Sequence, residues 1–147
     1  MRYREALLDD IPQLMEIRFS VTENVLSNPD LVTAAACAEY LTRRGKGWVC
    51  ETADGWLLGF AIADVVGHNI WALFVRPGYE GRGIGRQLQQ LMLDWYFRQT
   101  AETVWLGTGP GTRAEAFYRH TGWRETGQHG REVKFELKCE EWQGLGR

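Results

Sequence analysis

The sequence predicts an α/β domain of the α+β type, in which a mixed, mostly antiparallel central sheet is flanked by helices. Three observations lead to this prediction. Apolar residues recur at helical spacing near the N-terminus, β-prone runs joined by tight turns fill residues 48–75, and helical spacing returns at 84–98. The length of 147 residues is typical of one domain, so residues 1–147 are expected to form a single domain.

The first third of the chain predicts one strand and two helices. Residues 2–7 predict the strand, and Asp10 followed by Pro12 is typical of a helix start. Apolar residues at three- and four-residue spacing predict that this helix runs to about Glu23. An alanine-rich segment then predicts a second helix over about Thr33 to Arg44.

The middle of the chain predicts three consecutive antiparallel strands. Residues 48–52 and 56–66 are apolar runs separated by Ala53, Asp54 and Gly55, and Asp-Gly between two such runs is typical of a hairpin. A turn then leads to a third strand over 70–75. These strands are expected to form the centre of the sheet.

The last part of the chain predicts two helices, one strand and a closing hairpin. The helices cover 84–98 and 112–121, and the strand between them covers 103–106. The hairpin runs from Trp123 to Leu137 and turns near residues 128–130. The predicted order is therefore β-α-α-β-β-β-α-β-α-β-β.

Charge and hydropathy exclude several classes of partner. Lys and Arg number 17 against 19 for Asp and Glu, which gives a net charge of −2 and a pI near 5.9. This balance predicts no nucleic-acid partner. No stretch approaches the roughly 18 apolar residues of a membrane span, and the first residues lack the apolar core of a signal peptide. We therefore expect a cytoplasmic protein with no membrane contact and a small-molecule partner.

The three cysteines predict neither disulfides nor a metal site. Cys37, Cys50 and Cys139 are odd in number and widely separated, and none belongs to a CxxC pair or a zinc-ligand spacing. Reduced thiols are expected, and no metal.

The glycine-rich stretch at 78–85 is the most informative motif. Gly81, Gly83 and Gly85 lie between a predicted strand and a strong amphipathic helix. Glycines leave the backbone N–H groups unobstructed by side chains, and the start of a helix adds the positive end of its dipole. Both features are typical of a diphosphate site. Arg82 and Arg86 are placed to add charge-assisted contacts to the same anion.

Other phosphate-binding loops fit this stretch poorly. A Walker loop ends in Gly-Lys-Ser/Thr, whereas here Gly85 is followed by Arg86 and Gln87. The dinucleotide motif GxGxxG has a different spacing and requires an acidic residue about 20 positions later. A glycine-rich turn that only lets strand and helix pack closely is the remaining structural alternative.

The stretch Glu80-Gly81-Arg82-Gly83-Ile84-Gly85 resembles the acyl-CoA-binding motif of the GNAT superfamily of N-acetyltransferases, Gln/Arg-x-x-Gly-x-Gly/Ala. The strand WALFV, the Val-x-Pro-x-Tyr sequence that follows, and the later AFYRHTGW extend the resemblance over nearly the whole chain. It implies an acyl-CoA acyltransferase fold and acetyl transfer from acetyl-CoA to a primary amine of a small molecule or peptide. It also implies that the two strands beside the site splay apart, so that the pantetheine amides pair with exposed backbone.

One residue of the motif departs from the family pattern. Glu80 stands where the family has Gln or Arg, and a carboxylate facing a diphosphate is repulsive. Two outcomes are open. Either Glu80 faces solvent while the backbone binds the anion, or the affinity for acetyl-CoA is modest.

The resemblance implies that Tyr118 is the general acid that protonates the departing thiolate. A phenol with an ordinary pKa near 10 stays protonated at neutral pH and can donate to a thiolate whose conjugate acid has a pKa of about 8.5. Family members often carry a base on a central strand, and IWALFV contains no acid. Asp64 on the preceding strand is therefore the candidate base, followed by Glu23, Glu51 and His68.

The resemblance also implies a set of residues for each substrate. Many members have an Asn seven residues before the Tyr, and here Gly111 stands at that position, so the backbone or Thr112 is expected to take its place. The predicted acetyl-CoA contacts are Leu73, Phe74, Val75, Arg76, Gly81, Arg82, Gly83, Ile84, Gly85, Arg86, Gly111, Thr112, Ala114, Phe117 and Tyr118. The predicted amine contacts are Phe19, Glu23, Asn24 and Trp71.

Two other functions stay open on the sequence alone. One is a catalytically silent acyl-CoA sensor of the same fold, which the missing strand acid and Glu80 leave possible. The other is an interaction module without a cofactor, which rests only on the aromatic content. The sequence leaves a homodimer open as well.

Overall fold

The computed structural model describes residues 1–21 and 32–145 of the chain, and these contain a sheet of seven strands in the order β1-β2-β3-β4-β5-β7-β6. The strands are β1 (Arg2–Glu5), β2 (Gly45–Glu51), β3 (Leu57–Asp64), β4 (Asn69–Val75), β5 (Val104–Thr108), β6 (Arg124–His129) and β7 (Glu132–Leu137). All neighbouring strands are antiparallel except β4 and β5, which are parallel. The predicted mixed, mostly antiparallel sheet is confirmed.

Helices cover both faces of this sheet. They are α1 (Ile11–Ser20), α2 (Ala34–Glu39), α3 (Ile84–Gln99), α4 (Arg113–His120) and α5 (Cys139–Gly144), with a 3-10 turn at Leu8–Asp10 and a π-helical turn at Tyr40–Arg44 that continues α2. No helix within the described ranges is long and apolar enough to cross a bilayer.

Two predicted boundaries were wrong, and one helix was not predicted. The first helix ends at Ser20 rather than near Glu23, because Val21 is extended and the Ser20 hydroxyl donates to the Ile17 carbonyl at 2.7 Å. β2 begins three residues early, at Gly45, where the chain runs so close to β3 that a Cβ would lie 1.6 Å from the Ala63 carbonyl oxygen. The short helix α5 was not predicted at all.

Trp142 anchors the α5 helix in the core. Trp142 is 2% exposed, and its indole N–H donates to an Asp94 carboxylate oxygen at 3.0 Å. Glu140 and Glu141 in its first turn are typical of a helix start, so a signal was present in the sequence.

Two apolar layers hold the helices on the sheet. On one face Leu88, Met92 and Tyr96 of α3 are fully buried against β2 and β3. On the other face Leu14 and Ile17 of α1 are fully buried in a second cluster. The sheet is therefore covered on both sides, and access to its centre is left to a gap between strands.

That gap lies between β4 and β5. The two strands pair at a single position, Asn69 with Trp105, within the part of the chain that the structure describes. Ile62 pairs with Ala72 whereas Ala63 pairs with Ile70, so Trp71 is an extra residue that bulges from β4. The predicted splay is confirmed.

Candidate active site

The glycine loop forms an amide-lined start to α3. Gly81 and Gly83 have φ angles of 77° and 83°, in the left-handed region that favours glycine. The first helical hydrogen bond runs from Gln87 N–H to the Gly83 carbonyl at 3.0 Å, which leaves the N–H groups of residues 84–86 outside the helix ladder. Because nothing lies within 4 Å of a Cβ built on Gly81 or Gly83, the space above these amides is open.

A cavity of about 460 Å³ lies over this loop, and we call it the glycine-loop cavity. Its volume falls in the usual range for a ligand pocket. Its lining consists of Val21, Leu73, Phe74, Val75, Pro77, Tyr79, Glu80, Gly81, Gly83, Ile84, Gly85, Arg86, Arg113, Ala114, Phe117 and Tyr118. Free amides and two arginines on one cavity wall fit a phosphorylated ligand such as acetyl-CoA.

The predicted arginines take different positions around this cavity. Arg86 lines it, whereas Arg82 lies outside the lining, with its guanidinium 5.0 Å from the Tyr79 ring centroid. Arg76 also lies outside: its Nε donates to the Leu57 carbonyl at 2.9 Å, and its NH1 pairs with Glu16 at 2.6 Å. The lining thus gains Arg113, which sequence reasoning had not selected.

The Glu80 side chain is exposed and folds back on the loop. Its Oε1 accepts a hydrogen bond from the Gly78 N–H at 2.8 Å. Bonds from its own backbone N–H and from that of Gly78 hold the pKa of this carboxyl below its usual range. The carboxylate is therefore anchored to its own turn, while the residue still lines the glycine-loop cavity.

A second cavity of about 410 Å³ is lined by residues of both β4 and β5, and we call it the tryptophan cavity. Its lining consists of Leu14, Arg18, Val32, Cys37, Phe60, Asn69, Ile70, Trp71, Ala72, Leu73, Phe74, Trp105, Leu106, Gly107, Thr108, Ala114, Tyr118, His129 and Glu132. Trp71 stacks on Tyr40 with ring centroids 4.2 Å apart, and Trp105 packs against His129 at 4.8 Å. These contacts hold both indoles in fixed positions on the cavity wall.

The two cavities share four lining residues, which are Leu73, Phe74, Ala114 and Tyr118. Tyr118 is 6% exposed, and its ring packs edge-on against Trp123 at 5.6 Å. Burial raises the pKa of the Tyr118 phenol well above its ordinary value, so the hydroxyl stays protonated at any working pH. A neutral proton donor therefore lies where the cavities meet.

Local sequence fixes Tyr118 in this place. The Thr112 hydroxyl caps α4 by accepting a hydrogen bond from the Glu115 N–H at 3.2 Å. Trp123, against which Tyr118 packs, donates its indole N–H to the buried Gln89 side chain at 2.9 Å. The Gly111 N–H also donates to a Glu115 carboxylate oxygen at 2.7 Å. Thr112 and Gly111 thus shape the start of α4, and neither residue lines a cavity.

Asp64 does not reach either cavity. It is 2% exposed, pairs with Arg44 at 2.8 Å, and accepts hydrogen bonds from the N–H groups of Val66 and Gly67, both at 3.0 Å. These bonds are those of an Asp that closes the turn after its strand. The structure thus gives Asp64 a turn-capping position instead of the position beside the amine that the sequence led us to expect.

The other candidate bases are also engaged elsewhere. Glu51 pairs with Arg2 and Arg4 on the outer strands, and the His68 Nδ1 lies 3.1 Å from the Tyr96 hydroxyl. Glu23 and Asn24, predicted as a base or as amine contacts, lie outside the described residues. The tryptophan cavity instead contains Glu132 and His129.

The predicted amine contacts are met in part. Trp71 lines the tryptophan cavity, whereas Phe19 is 49% exposed and does not line it. Arg18, His129 and Glu132 line it and were not predicted. No local motif marks these three residues, because α1 and the β6–β7 hairpin meet only in the folded chain.

Comparison with known proteins identifies the fold and its family. The model of the acetyltransferase (GNAT) family matches residues 10–123, a range that includes the glycine loop and Tyr118. The chain belongs to the GNAT acetyltransferase family. The resemblance inferred from the glycine motif and AFYRHTGW is therefore confirmed.

Curated relatives of this GNAT chain carry acetyltransferase names. An uncharacterised N-acetyltransferase of Mycobacterium bovis is 31% identical over 100 residues, which is 65% of this chain and 64% of that protein. A mycothiol acetyltransferase of Beutenbergia cavernae is 32% identical over 99 residues, which is 59% of this chain and 33% of that protein. The match thus spans less than two thirds of either relative.

Solved structures share the fold at lower identity. A GNAT-family acetyltransferase of Staphylococcus aureus superposes with a TM-score of 0.81 at 18% identity, covering 93% of this chain and 98% of that one. The PaiA N-acetyltransferase of Thermoplasma acidophilum in complex with coenzyme A gives a TM-score of 0.80 at 17% identity, with the same coverage of both chains. These likenesses establish the architecture.

Proposed function

We propose that this GNAT chain transfers an acetyl group from acetyl-CoA to a primary amine of a small molecule or peptide, by direct attack while both substrates are bound. The observation that carries the proposal is the meeting of two cavities at Tyr118, in the gap between β4 and β5. The names of the curated relatives support the same activity.

The glycine-loop cavity has the groups that acetyl-CoA needs. The N–H groups of residues 84–86 face the open space above the loop and can hold the diphosphate, with Arg86 adding positive charge. Beyond Asn69, the β5 side of β4 has no paired strand in the described ranges, so residues 73–75 can pair with the pantetheine amides as an added strand would.

The tryptophan cavity then holds the amine, which enters as an ammonium and first gives one proton to solvent. The neutral nitrogen forms a bond to the carbonyl carbon of the thioester, the carbon–sulfur bond breaks, and the Tyr118 hydroxyl gives its proton to the departing sulfur. The second proton that the nitrogen loses as the amide forms returns through water to the Tyr118 phenolate. In this proposal a backbone N–H of β4 near Val75 stabilises the oxyanion. Because burial raises the pKa of Tyr118, this donor is not lost by ionisation as the pH rises.

Covalent transfer through a cysteine fits the site less well. Cys37 lines the tryptophan cavity, but it is only 2% exposed, and burial raises the pKa of its thiol. A neutral buried thiol is a poor nucleophile. Direct attack by the amine is therefore the mechanism that the arrangement favours.

The catalytically silent sensor is the less favoured alternative. A sensor needs only the glycine-loop cavity, whereas here a second cavity with charged side chains meets it at a protonated tyrosine. That second cavity, with Tyr118 at the junction, supports an enzyme.

The test is release of free CoA from acetyl-CoA in the presence of a panel of amines. Tyr118→Phe should lower kcat by about a hundredfold, the lower end of the usual contribution of a general acid, and should leave stabilisation by acetyl-CoA unchanged. Tyr3→Phe is the matched control, because Tyr3 is a partly buried phenol that hydrogen-bonds to Cys50 on the outer strands. Equal kcat values for Tyr118→Phe and the parent would remove Tyr118 from the mechanism, and no stabilisation by millimolar acetyl-CoA would overturn the proposed function.

A further inference from the structure

The tryptophan cavity carries one positive and one negative side chain that do not bind each other. Arg18 on α1 and Glu132 on β7 both line it. They form no ion pair with each other, yet the Glu132 carboxylate is close enough to influence Arg18. The space between them can therefore hold a ligand with a charge of each sign.

Arg18 presents its guanidinium to the cavity in a fixed position. It is partly buried, and its Cζ lies 4.4 Å from the centroid of the Phe74 ring. Phe74 lines both cavities, so the guanidinium sits near their junction. Burial lowers the pKa of Arg18 and Glu132 opposes that shift, which marks a cation that has lost part of its hydration. A planar guanidinium on an aromatic ring is suited to bind a carboxylate.

Glu132 lies over Gly107 of β5, a residue that has no side chain. A Cβ built on Gly107 would lie 2.5 Å from the Glu132 Oε1, so the carboxylate fills the place of a side chain on β5. Gly107 is two residues beyond the paired position of β4 and β5, where the strands have begun to separate. Glu132 therefore brings a carboxylate to the splay itself.

We propose that the acceptor of this enzyme is an amine that also carries a carboxylate, with Arg18 binding the carboxylate and Glu132 holding the ammonium group. The substrate class is that of a free amino acid or a similar zwitterion, whose side chain lies against Trp71 and Trp105. This inference rests on the proposed function, and it narrows the acceptor from any primary amine to a zwitterionic one.

The experiment compares free amino acids with their amides and with the decarboxylated amines of the same side chains. CoA release should give a kcat/KM for the acids that exceeds that for the amides by about ten- to a hundredfold, the range for losing a hydrogen bond to a charged group. Arg18→Gln should remove this preference by lowering kcat/KM for the acids alone, with the KM for acetyl-CoA unchanged. Arg18→Lys, which keeps the charge, should restore part of it.

Two further variants complete the test. Glu132→Gln should lower kcat/KM for acids and amides alike, because both carry the ammonium group. Arg98→Gln is the control, since Arg98 is an exposed residue in the last turn of α3. Equal kcat/KM for acids and amides in the parent, or an equal loss of both in Arg18→Gln, would overturn the proposal.

Failure of the proposed function is distinguished by binding. If no amine in the panel releases CoA, titration calorimetry of the same acids and amides in the presence of CoA decides the matter. Tighter binding of acids that is lost in Arg18→Gln would support the zwitterion site without acetyl transfer. Equal binding of both classes, or binding of neither, would overturn it.

Discussion

The glycine-loop cavity takes most of its lining from one stretch of chain, residues 73–86, whereas the tryptophan cavity draws on α1, α2, β4, β5 and the β6–β7 hairpin. In the first cavity the groups available for binding are mainly backbone amides, and the glycines leave the space above them free of side chains. In the second cavity the side chains of distant residues supply these groups. Under the proposed function, a short motif marks the site of the donor that the family shares, whereas the residues that would select the acceptor belong to no motif.

Among the variants that compare the two cavities, the largest effect is expected from placing a side chain beside the backbone amides at the start of α3. Gly83→Ala adds a Cβ at a left-handed position and beside the free amides of α3. We expect a KM for acetyl-CoA at least about tenfold higher, besides a stability loss of about 1–2 kcal/mol from the strained residue.

Gly55→Ala is the matched control for that variant. Gly55 has a φ of 86° in the β2–β3 turn and, like Gly83, has open space at its Cβ position. It should lose similar stability in urea unfolding and keep the parent KM for acetyl-CoA. Equal KM values for the two variants would show that the backbone amides at the start of α3 do not bind acetyl-CoA.

A second variant tests whether the Asp64 carboxylate takes part in catalysis. Asp64→Asn should lower the urea midpoint, because the ion pair to Arg44 is lost while the turn amides keep an oxygen acceptor. The pH profile of kcat and its value at neutral pH should not change, since Asp64 lines neither cavity. If kcat of Asp64→Asn no longer changed with pH where the parent's does, Asp64 would be the general base after all.

The smallest expected effect is at Glu80. Glu80→Gln removes an exposed negative charge beside the backbone amides at the start of α3. It should strengthen acetyl-CoA binding by about twofold, the size of a solvent-screened charge interaction. The gain should shrink in high salt and be constant between pH 6 and pH 9, because the lowered pKa of Glu80 keeps it ionised throughout.

The control for Glu80 is Glu102→Gln, which removes a charge from an exposed residue outside both cavity linings. Titration calorimetry with acetyl-CoA compares the two. Equal or weaker acetyl-CoA binding by Glu80→Gln would contradict the prediction that the carboxylate charge opposes binding, because the Gln amide oxygen can still accept the hydrogen bond from the Gly78 N–H.

The comparison of cavities also explains what the sequence could predict. Gly81, Gly83 and Tyr118 were found because their roles depend on neighbours along the chain: a turn, a helix start, a helix face. The order of the predicted strands and helices followed from hydrophobic period in the same way. Arg18 and Glu132 were missed because nothing local distinguishes them from solvated surface charges.

Two further differences have the same physical origin. Asp64 stands at the end of a strand, and only the fold shows that Arg44 and two turn amides occupy its carboxylate. Arg76 follows β4 directly, yet its guanidinium leaves the cavity for Glu16 and the Leu57 carbonyl. In both cases a tertiary partner decides where a charged side chain goes.

The central claim is that donor and acceptor occupy the two cavities together and react where these meet. Initial rates at varied acetyl-CoA and varied amine test it most directly. The account predicts double-reciprocal lines that intersect, and no acetyl group on the protein after incubation with acetyl-CoA alone. Parallel lines, with one acetyl group carried by Cys37 in the mass spectrum, would contradict it.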